Sequence, residues 1–251
     1  MNPSFPELSP SSSWQEICQI QSDAISTHGK RLGRSLLILE AGCGHSWGLD
    51  MTGIDYSLTG VDLDPEALKL RKSQTRDLDV AILGDLCSIE LPNESFDVVL
   101  SSYVLEHVAR ADIALRNLMK WLKPGGLLIL QLPERTSVQT FYARILPHRC
   151  HVWFHRFVIG NKLAGRPGNA PYPTYYHPVI GRERIRSFLA EQGGRVLACY
   201  SIGWRTYGAR VMNLAVRVVI KLTSIISLGR LTANYNDVLY IAMKQGATSF
   251  E

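Results

Sequence analysis

Residues 36–44 read Leu-Leu-Ile-Leu-Glu-Ala-Gly-Cys-Gly, and residues 58–64 read Leu-Thr-Gly-Val-Asp-Leu-Asp. Each stretch begins with an apolar run of strand length, as buried parallel strands do. Glycines after the first run let the backbone approach a ligand closely. Asp62 lies 22 residues after Glu40, where it can accept hydrogen bonds from ribose hydroxyls. The pattern predicts a βαβ unit that holds an adenosine.

The alternation of strands and helices continues beyond this unit. Gly84-Asp85 follows a third apolar run, and Pro124-Gly125-Gly126 ends a predicted helix over residues 112–122. A capping box formed by Ser13 and Glu16 predicts a helix near the N-terminus. This order predicts an α/β protein. The predicted strands are residues 36–40, 58–62, 79–83, 96–101, 127–131, 195–201 and 237–243.

In this order, these stretches and the segment Leu105-Glu106-His107-Val108 resemble the class I S-adenosylmethionine (SAM)-dependent methyltransferases. The resemblance is strongest to the small-molecule group of methyltransferase type 11, which is UbiE-like. It is firm over residues 36–133 and loose elsewhere. It implies a Rossmann-like, mostly parallel seven-stranded sheet with one antiparallel strand and helices on both faces. It also implies an enzyme with SAM as cofactor and S-adenosylhomocysteine as product.

The resemblance further implies roles for the residues at the strand ends. Gly42 and Gly44 would lie against the methionyl and ribose parts of SAM. Glu40 would face the methionyl ammonium, and Asp62 would accept hydrogen bonds from both ribose hydroxyls. The remaining implied contacts are Leu63 against adenine, Asp85 at the adenine amino group, the backbone of Leu86 at the ring, and the backbone of Ser102 near the methyl group.

The chain departs from the family pattern after Gly44. The family usually has a third glycine and then a helix, whereas residues 44–53 read Gly-His-Ser-Trp-Gly-Leu-Asp-Met-Thr-Gly. Glycines and weak apolar periodicity predict a loop here, with His45 or Trp47 lining the methionyl pocket. The missing helix also argues against a nicotinamide oxidoreductase, because the pyrophosphate of a dinucleotide needs a helix N-terminus at this place.

The candidate proton acceptors are histidines. His107 follows the fourth strand, where a neutral imidazole could take a proton from a hydroxyl as the methyl group moves; a structural helix start is the alternative. Residues 134–180 are predicted to form a lid over the acceptor, with His155 and His177 as further candidates. The His-rich lid favours oxygen over nitrogen as the acceptor atom. Its expected pocket residues are Tyr142, His148, His151, Trp153, Tyr172, Tyr175 and Tyr176, with Arg144, Arg149, Arg156 and Arg166 to hold an anionic group.

The net charge of +5 is divided unevenly. Residues 1–133 hold 11 Lys and Arg against 17 Asp and Glu, and residues 134–251 hold 16 against 5. The acidic half suits a positive sulfonium cofactor. The basic half predicts an anionic acceptor, an acidic membrane surface or nucleic acid, unless it is only a solvated face. Five cysteines without a C-x-x-C pair favour reduced thiols and a cytoplasmic location, and no metal site is predicted.

One domain is predicted for the 251 residues. Its apolar stretch 211–228 carries two charges, so it is not predicted to cross a membrane. Two interpretations stay open: packing over the lid or in a homodimer interface, or peripheral contact with a membrane that supplies a lipid acceptor. The predicted segments are a flexible tail (1–13), the SAM-binding core (36–133), the lid (134–180) and a helical insertion (204–234).

A methyltransferase acting on a small-molecule, saccharide or lipid-linked acceptor is the leading prediction, and two alternatives remain. A nucleic-acid methyltransferase could use Arg149–Phe157 for phosphates and stacking. However, the fourth strand ends Ser-Ser-Tyr-Val and lacks the Asn/Asp-Pro-Pro-Tyr segment of base-amino methyltransferases. A non-catalytic binding protein on the same fold is disfavoured by the intact set of Gly42, Gly44, Asp62 and Asp85.

Overall fold

The computed structural model describes residues 6–11, 13–157, 160–166, 170–203 and 210–246. Residues 1–5 and 12 of the predicted tail, 158–159 and 167–169 of the lid, and 204–209 of the helical insertion lie outside them. The strands are β1 (Leu8–Ser11), β2 (Leu36–Ala41), β3 (Tyr56–Asp62), β4 (Val80–Leu83), β5 (Phe96–Ser102), β6 (Leu122–Pro133), β7 (Gly194–Ile202) and β8 (Asp237–Lys244). The α-helices are α1 (Trp14–Leu32), α2 (Pro65–Lys69), α3 (Ala111–Trp121), α4 (Val138–Ile145), α5 (His148–Phe157), α6 (Arg182–Glu191) and α7 (Arg210–Ile226).

These eight strands form one sheet in the order β1-β7-β8-β6-β5-β2-β3-β4. Within the described sheet, β8 runs antiparallel to β6 and β7, and the other pairs are parallel. The seven predicted strands correspond to β2–β8, which confirms the predicted fold class. The direction in which the chain adds strands reverses between β2 and β5. In open α/β sheets, ligands bind at such a reversal, beyond the carboxyl ends of the strands.

The predicted flexible tail contains an unpredicted strand. Leu8–Ser11 form β1, which pairs in parallel with Cys199–Ile202 of β7, and Ser201 Oγ donates a hydrogen bond to the Ser9 carbonyl at 3.4 Å. The prediction of a loose tail over residues 1–13 is therefore wrong for this part. An uncovered edge of β7 would offer unpaired backbone groups. Pairing with them needs only backbone, so the Pro- and Ser-rich composition gave no sign of it.

Helix caps and apolar packing hold the helices on both faces of the sheet. Ser13 Oγ accepts a hydrogen bond from Glu16 N at 3.1 Å at the start of α1, which confirms the predicted cap. Asp64 caps α2 in the same way. The sheet separates two apolar layers, one around the fully buried Trp121 of α3 and the other around Ile17 and Ile25 of α1.

A loop replaces the usual helix between β2 and β3, as the sequence predicts. Residues 42–55 form turns and irregular structure throughout. Met51 is buried, and Trp47 and Leu49 pack against the apolar layer under α1. The loop thus covers the sheet with scattered apolar side chains instead of a helical stripe.

Candidate active site

The turn after β2 brings its backbone unusually close to the segment after β5. Gly42 has φ +75°, and a Cβ added to it would lie 2.3 Å from Val104 Cγ2. Gly44 also has a positive φ, +54°, but a Cβ there would meet nothing within 4 Å. Gly42 is therefore required by packing, whereas Gly44 borders open space at the carboxyl end of the sheet. This arrangement suits a ligand that lies against the backbone.

We expect Gly42→Ala to lower the free energy of unfolding by about 2 kcal/mol, from left-handed backbone strain plus overpacking against Val104. Denaturant unfolding measures it. In a Val104→Ala background the same change should cost only about 1 kcal/mol, because the overpacking is relieved. An equal cost in both backgrounds would show that the contact with Val104 does not matter.

The carboxylate of Asp62 is fixed at the end of β3. Its Oδ2 accepts a hydrogen bond from Gly44 N at 2.7 Å, and its Oδ1 accepts one from Asp64 N at 2.9 Å. Each carboxylate oxygen can accept a second hydrogen bond. The side chain of Leu63 is 70% exposed beside it, and His45 Nε2 lies 3.8 Å from Asp64 Oδ2. Asp62 thus joins the glycine turn to the end of β3 and retains acceptor capacity.

The other predicted cofactor residues also lie at the carboxyl ends of strands. Asp85 is exposed just after β4, and its Oδ1 accepts a hydrogen bond from Cys87 N at 2.8 Å. Leu86 is buried, and its carbonyl accepts a hydrogen bond from Asn117. Ser102 is half-buried at the end of β5. The predicted cofactor residues therefore all lie on one side of the sheet, at the carboxyl ends of its parallel strands.

A buried arginine that the sequence did not reveal supports this edge. Arg71 is fully buried, and its Nη1 donates to Glu40 Oε2 at 2.7 Å and to the Cys43 carbonyl at 2.6 Å. Its Nε donates to Asp77 Oδ1 at 3.0 Å. Burial raises the pKa of Glu40, and the Arg71 guanidinium opposes that shift. Arg71 therefore fixes the Glu40 side chain and the glycine turn through these hydrogen bonds.

A cavity of about 840 Å³, called here the large cavity, lies beyond the ends of β5 and β6 and the start of β8. Tyr103, Glu106 and His107 line it from the segment after β5, and Arg217 lines it from α7. Six predicted lid residues line it as well. These are Tyr142, His151, Trp153, His155, Tyr172 and Tyr176.

Several predicted lid residues lie elsewhere. Among the described residues that line the large cavity, Arg217 is the arginine, and the predicted Arg144, Arg149, Arg156 and Arg166 are not part of its wall. Arg156 instead donates to the Ala164 carbonyl at 2.9 Å. His148 and Tyr175 are also outside the wall. The prediction that these four arginines hold an anionic group in the pocket is therefore wrong for the large cavity, whose wall does not include them.

His107 is positioned to act as a base. Its Nδ1 lies 2.7 Å from the Pro173 carbonyl, which accepts only from an N–H, so the neutral ring carries its proton on Nδ1 and leaves Nε2 as an acceptor. Burial lowers the pKa of His107, which favours this neutral form near pH 7. The ring also meets Tyr172 edge to face, at 5.8 Å between centroids.

A buried carboxyl group, Glu106, lies next to His107. Its Oε1 is 3.9 Å from His107 Nε2, and its Oε2 is buried with no hydrogen-bond partner within the described part of the chain. Burial raises the pKa of Glu106 to about 8. Burial thus favours the uncharged form of both groups in the wall of the large cavity, by raising the pKa of Glu106 and lowering that of His107.

The two other candidate histidines differ in position. His155 lines the large cavity, and burial lowers its pKa. His177 lies outside that cavity: its Nδ1 accepts a hydrogen bond from Val179 N at 3.2 Å, and its Nε2 lies 3.6 Å from Asp112 Oδ1. It borders a separate cavity of about 300 Å³. This position gives His177 a capping role and no place among the candidate bases.

The large cavity adjoins the glycine turn and Asp62. Val104, which touches Gly42, lies between the cavity residues Tyr103 and Glu106. Tyr172 in the cavity wall has its pKa raised by burial and then by the charges of Asp64 and Asp62. A molecule in the large cavity would therefore lie beside a ligand held at the ends of β2 and β3.

Comparison with known proteins identifies the same region. The model of a family described as "Methyltransferase domain" matches residues 39–130, from within β2 to within β6. The ubiquinone biosynthesis O-methyltransferase of Caulobacter sp. (strain K31) is 29% identical over 187 residues, which are 67% of this chain and 73% of that protein. The mitochondrial ubiquinone biosynthesis O-methyltransferase of Mus musculus is 30% identical over 57% of this chain, but the chain spans only 43% of that protein's length.

Solved structures share the fold at low identity. A SAM-dependent methyltransferase from Archaeoglobus fulgidus superposes with a TM-score of 0.52 at 17% identity, covering 90% of this chain and 94% of the other. The cyclase SpnF superposes with a TM-score of 0.55 at 16% identity, covering 96% and 86%. These likenesses establish the architecture alone.

Proposed function

Because this chain belongs to the class I SAM-dependent methyltransferases, with SAM as cofactor, we propose that it methylates a hydroxyl oxygen of a largely apolar acceptor. The single observation that carries the proposal is the position of the large cavity. It adjoins the predicted cofactor edge through Val104 and Tyr172, and Glu106 and His107 stand in its wall.

The residues at the sheet edge fit SAM. Gly44 borders open space, the fixed Asp62 carboxylate retains lone pairs for a diol, and the exposed Leu63 offers an apolar surface for adenine. In this proposal Glu40 faces the methionyl ammonium, and Gly42 shapes the turn. Asp85, the Leu86 backbone and the Ser102 backbone complete the site as the sequence predicts.

The chain's contribution to the reaction is positioning and proton transfer. Bound SAM supplies an electrophilic methyl group. The large cavity holds the acceptor hydroxyl beside it, and such positioning supplies much of the rate enhancement in reactions of this type. As the new O–CH₃ bond forms, His107 Nε2 takes the hydroxyl proton, while Nδ1–H remains hydrogen-bonded to the Pro173 carbonyl.

The wall of the large cavity supports an apolar acceptor with an anionic or polar group. Trp153, Phe154, Val219 and Ile220 provide apolar surface, and Arg217 provides a positive charge. The named relatives act on oxygen in ubiquinone biosynthesis, which agrees with the preference for oxygen. A neutral imidazole base is also more useful to a hydroxyl, which is a weak nucleophile until it loses its proton, than to a neutral amine, which can attack before it loses one.

The test is transfer of a labelled methyl group from SAM to three matched acceptors: an alkyl-tailed phenol, the same phenol without its tail, and the tailed aniline. We expect O-methylation of the tailed phenol with kcat/KM at least about tenfold above the others, because each buried methylene contributes about 0.8 kcal/mol. Preferred methylation of the aniline, or no benefit from the tail, would contradict the proposed acceptor.

A further inference from the structure

The outer side of α7 is apolar although it faces solvent. Leu214, Val218, Leu222 and Ile225 recur at spacings of four, four and three residues, which places them on one side of the helix. Their exposed fractions lie between 48% and 69%. The surfaces of soluble proteins seldom present such a row of exposed apolar side chains without a function.

The same surface continues around the large cavity. Ile145 of α4 and Trp153 and Phe157 of α5 are 54%, 59% and 72% exposed, and the two aromatic rings lie 5.7 Å apart. At the end of α7, Ile226 is 79% and Leu228 is 85% exposed. We call this set the apolar face: Ile145, Trp153, Phe157, Leu214, Val218, Leu222, Ile225, Ile226 and Leu228.

The charges around the apolar face have one sign. Residues 135–181 and 204–236, which contain α4, α5 and α7, include no Asp or Glu. Arg144, Arg149, Lys221 and Arg230 are exposed there. Two copies of such a surface would repel each other, whereas an anionic surface would attract it.

The helices that carry the apolar face also form the wall of the large cavity. On the inner side of α7, Val216 and Ile220 line the cavity, and Thr223 joins α7 to Tyr142 of α4 by a hydrogen bond of 2.8 Å. Trp153 and Val219 both line the cavity and are half or more exposed. The surface and the cavity therefore meet at these two residues.

We propose that the apolar face docks on an anionic lipid bilayer, with the large cavity opening toward the acyl chains so that a lipid-borne acceptor reaches the methyl donor from the membrane. The apolar residues enter the interface, and the surrounding Lys and Arg side chains meet lipid phosphates. Within the described residues no helix has the length and apolar character to cross a bilayer. The source of the acceptor rests on the proposed function, but the docking itself does not.

The experiment is co-sedimentation of the whole chain with vesicles of phosphatidylcholine alone or with 30% phosphatidylglycerol (about a third, enough to give a negative surface potential). We expect binding to the anionic vesicles that weakens as salt rises, because screening shortens the reach of the surface charges. Equal binding to both vesicles, or to neither, would overturn the proposal. A stable dimer that leaves the vesicles unbound would assign the apolar face to a second copy instead.

Two pairs of substitutions separate the apolar from the electrostatic contribution. Leu222→Glu with Ile225→Glu should lower binding to anionic vesicles at least about tenfold, because two apolar anchors are lost and two negative charges are added. Lys221→Gln with Arg230→Gln should lower it about fivefold for each charge. The control is Val80→Glu, which adds one such negative charge at an exposed apolar position on β4, the strand at the far side of the sheet. Binding of this variant to anionic vesicles should be unchanged.

Docking and methyl transfer can fail independently in these measurements. Vesicle binding requires neither SAM nor acceptor, so its loss would leave the proposed methylation standing. Conversely, the Leu222→Glu/Ile225→Glu variant should keep its turnover of a water-soluble phenol and lose turnover of the same phenol carried in vesicles. Loss of both activities, with the variant still folded and monomeric, would contradict the assignment of these residues to docking alone.

Discussion

S-adenosylhomocysteine is expected to bind the Asp62→Ala variant at least about 100-fold more weakly than the unchanged protein. The carboxylate would bind two ribose hydroxyls, and each such charge-assisted hydrogen bond contributes about 1.5–3 kcal/mol. It also anchors Gly44 N at 2.7 Å, so its loss loosens the turn against which the ligand lies. Calorimetric titration measures the dissociation constant directly.

The matched control is Asp79→Ala. Like Asp62, Asp79 accepts a hydrogen bond from a backbone N–H, that of Leu58 on β3, at 2.7 Å from its Oδ2. Asp79 precedes β4, however, and so lies at the amino end of that strand, away from the predicted cofactor residues. Removing it costs a comparable structural contact and should leave the affinity unchanged. If both variants lose affinity equally, the loss reflects stability, and Asp62 is not the ribose ligand.

Turnover is expected to fall about 10²- to 10⁴-fold in the His107→Ala variant, the usual contribution of a general base. Binding of S-adenosylhomocysteine should be unchanged, because His107 belongs to the large cavity. In the unchanged protein, kcat/KM should be level near pH 7 and fall only at pH values below the ordinary range of a histidine pKa, since burial lowers the pKa of His107 and only the neutral ring accepts a proton. Turnover and its pH dependence are measured from the pH profile of kcat/KM, and binding of S-adenosylhomocysteine is measured by calorimetric titration.

His148→Ala serves as the control for this substitution. His148 begins α5, is exposed, and lies outside the wall of the large cavity. Its turnover should match that of the unchanged protein. Full activity in the His107→Ala variant would instead place the base elsewhere in the cavity, with His155 as the next candidate, or show that the acceptor needs none.

Local patterns in the sequence predicted strands β2–β8 and two of the helix caps correctly. Each of β2–β8 is an apolar run bounded by turn residues, and the Ser13 and Asp64 caps are short-range signals. The loop after Gly44 was predictable because two nearby glycines and scattered apolar residues disfavour a helix. These features depend on neighbours within a few positions.

The features that the sequence did not reveal depend on long-range contacts. Arg71 lies between Leu70 and Lys72, and nothing local distinguishes it from its exposed basic neighbours, although it meets Glu40 across the sheet edge. Glu106 lies beside His107 in a motif, yet its raised pKa depends on burial under residues far along the chain. The contribution of α7 to the cavity wall, including Arg217, likewise arises only when the last helix folds over the lid.

Calorimetric titration of the protein with SAM, S-adenosylhomocysteine and NADH tests directly whether the carboxyl end of the sheet is a SAM site. Both adenosyl ligands should bind at one site per chain and compete with each other, while NADH should not bind, because residues 42–55 provide no helix N-terminus for a pyrophosphate. Binding of NADH in preference to SAM, or binding of no adenosyl ligand at all, would contradict this assignment.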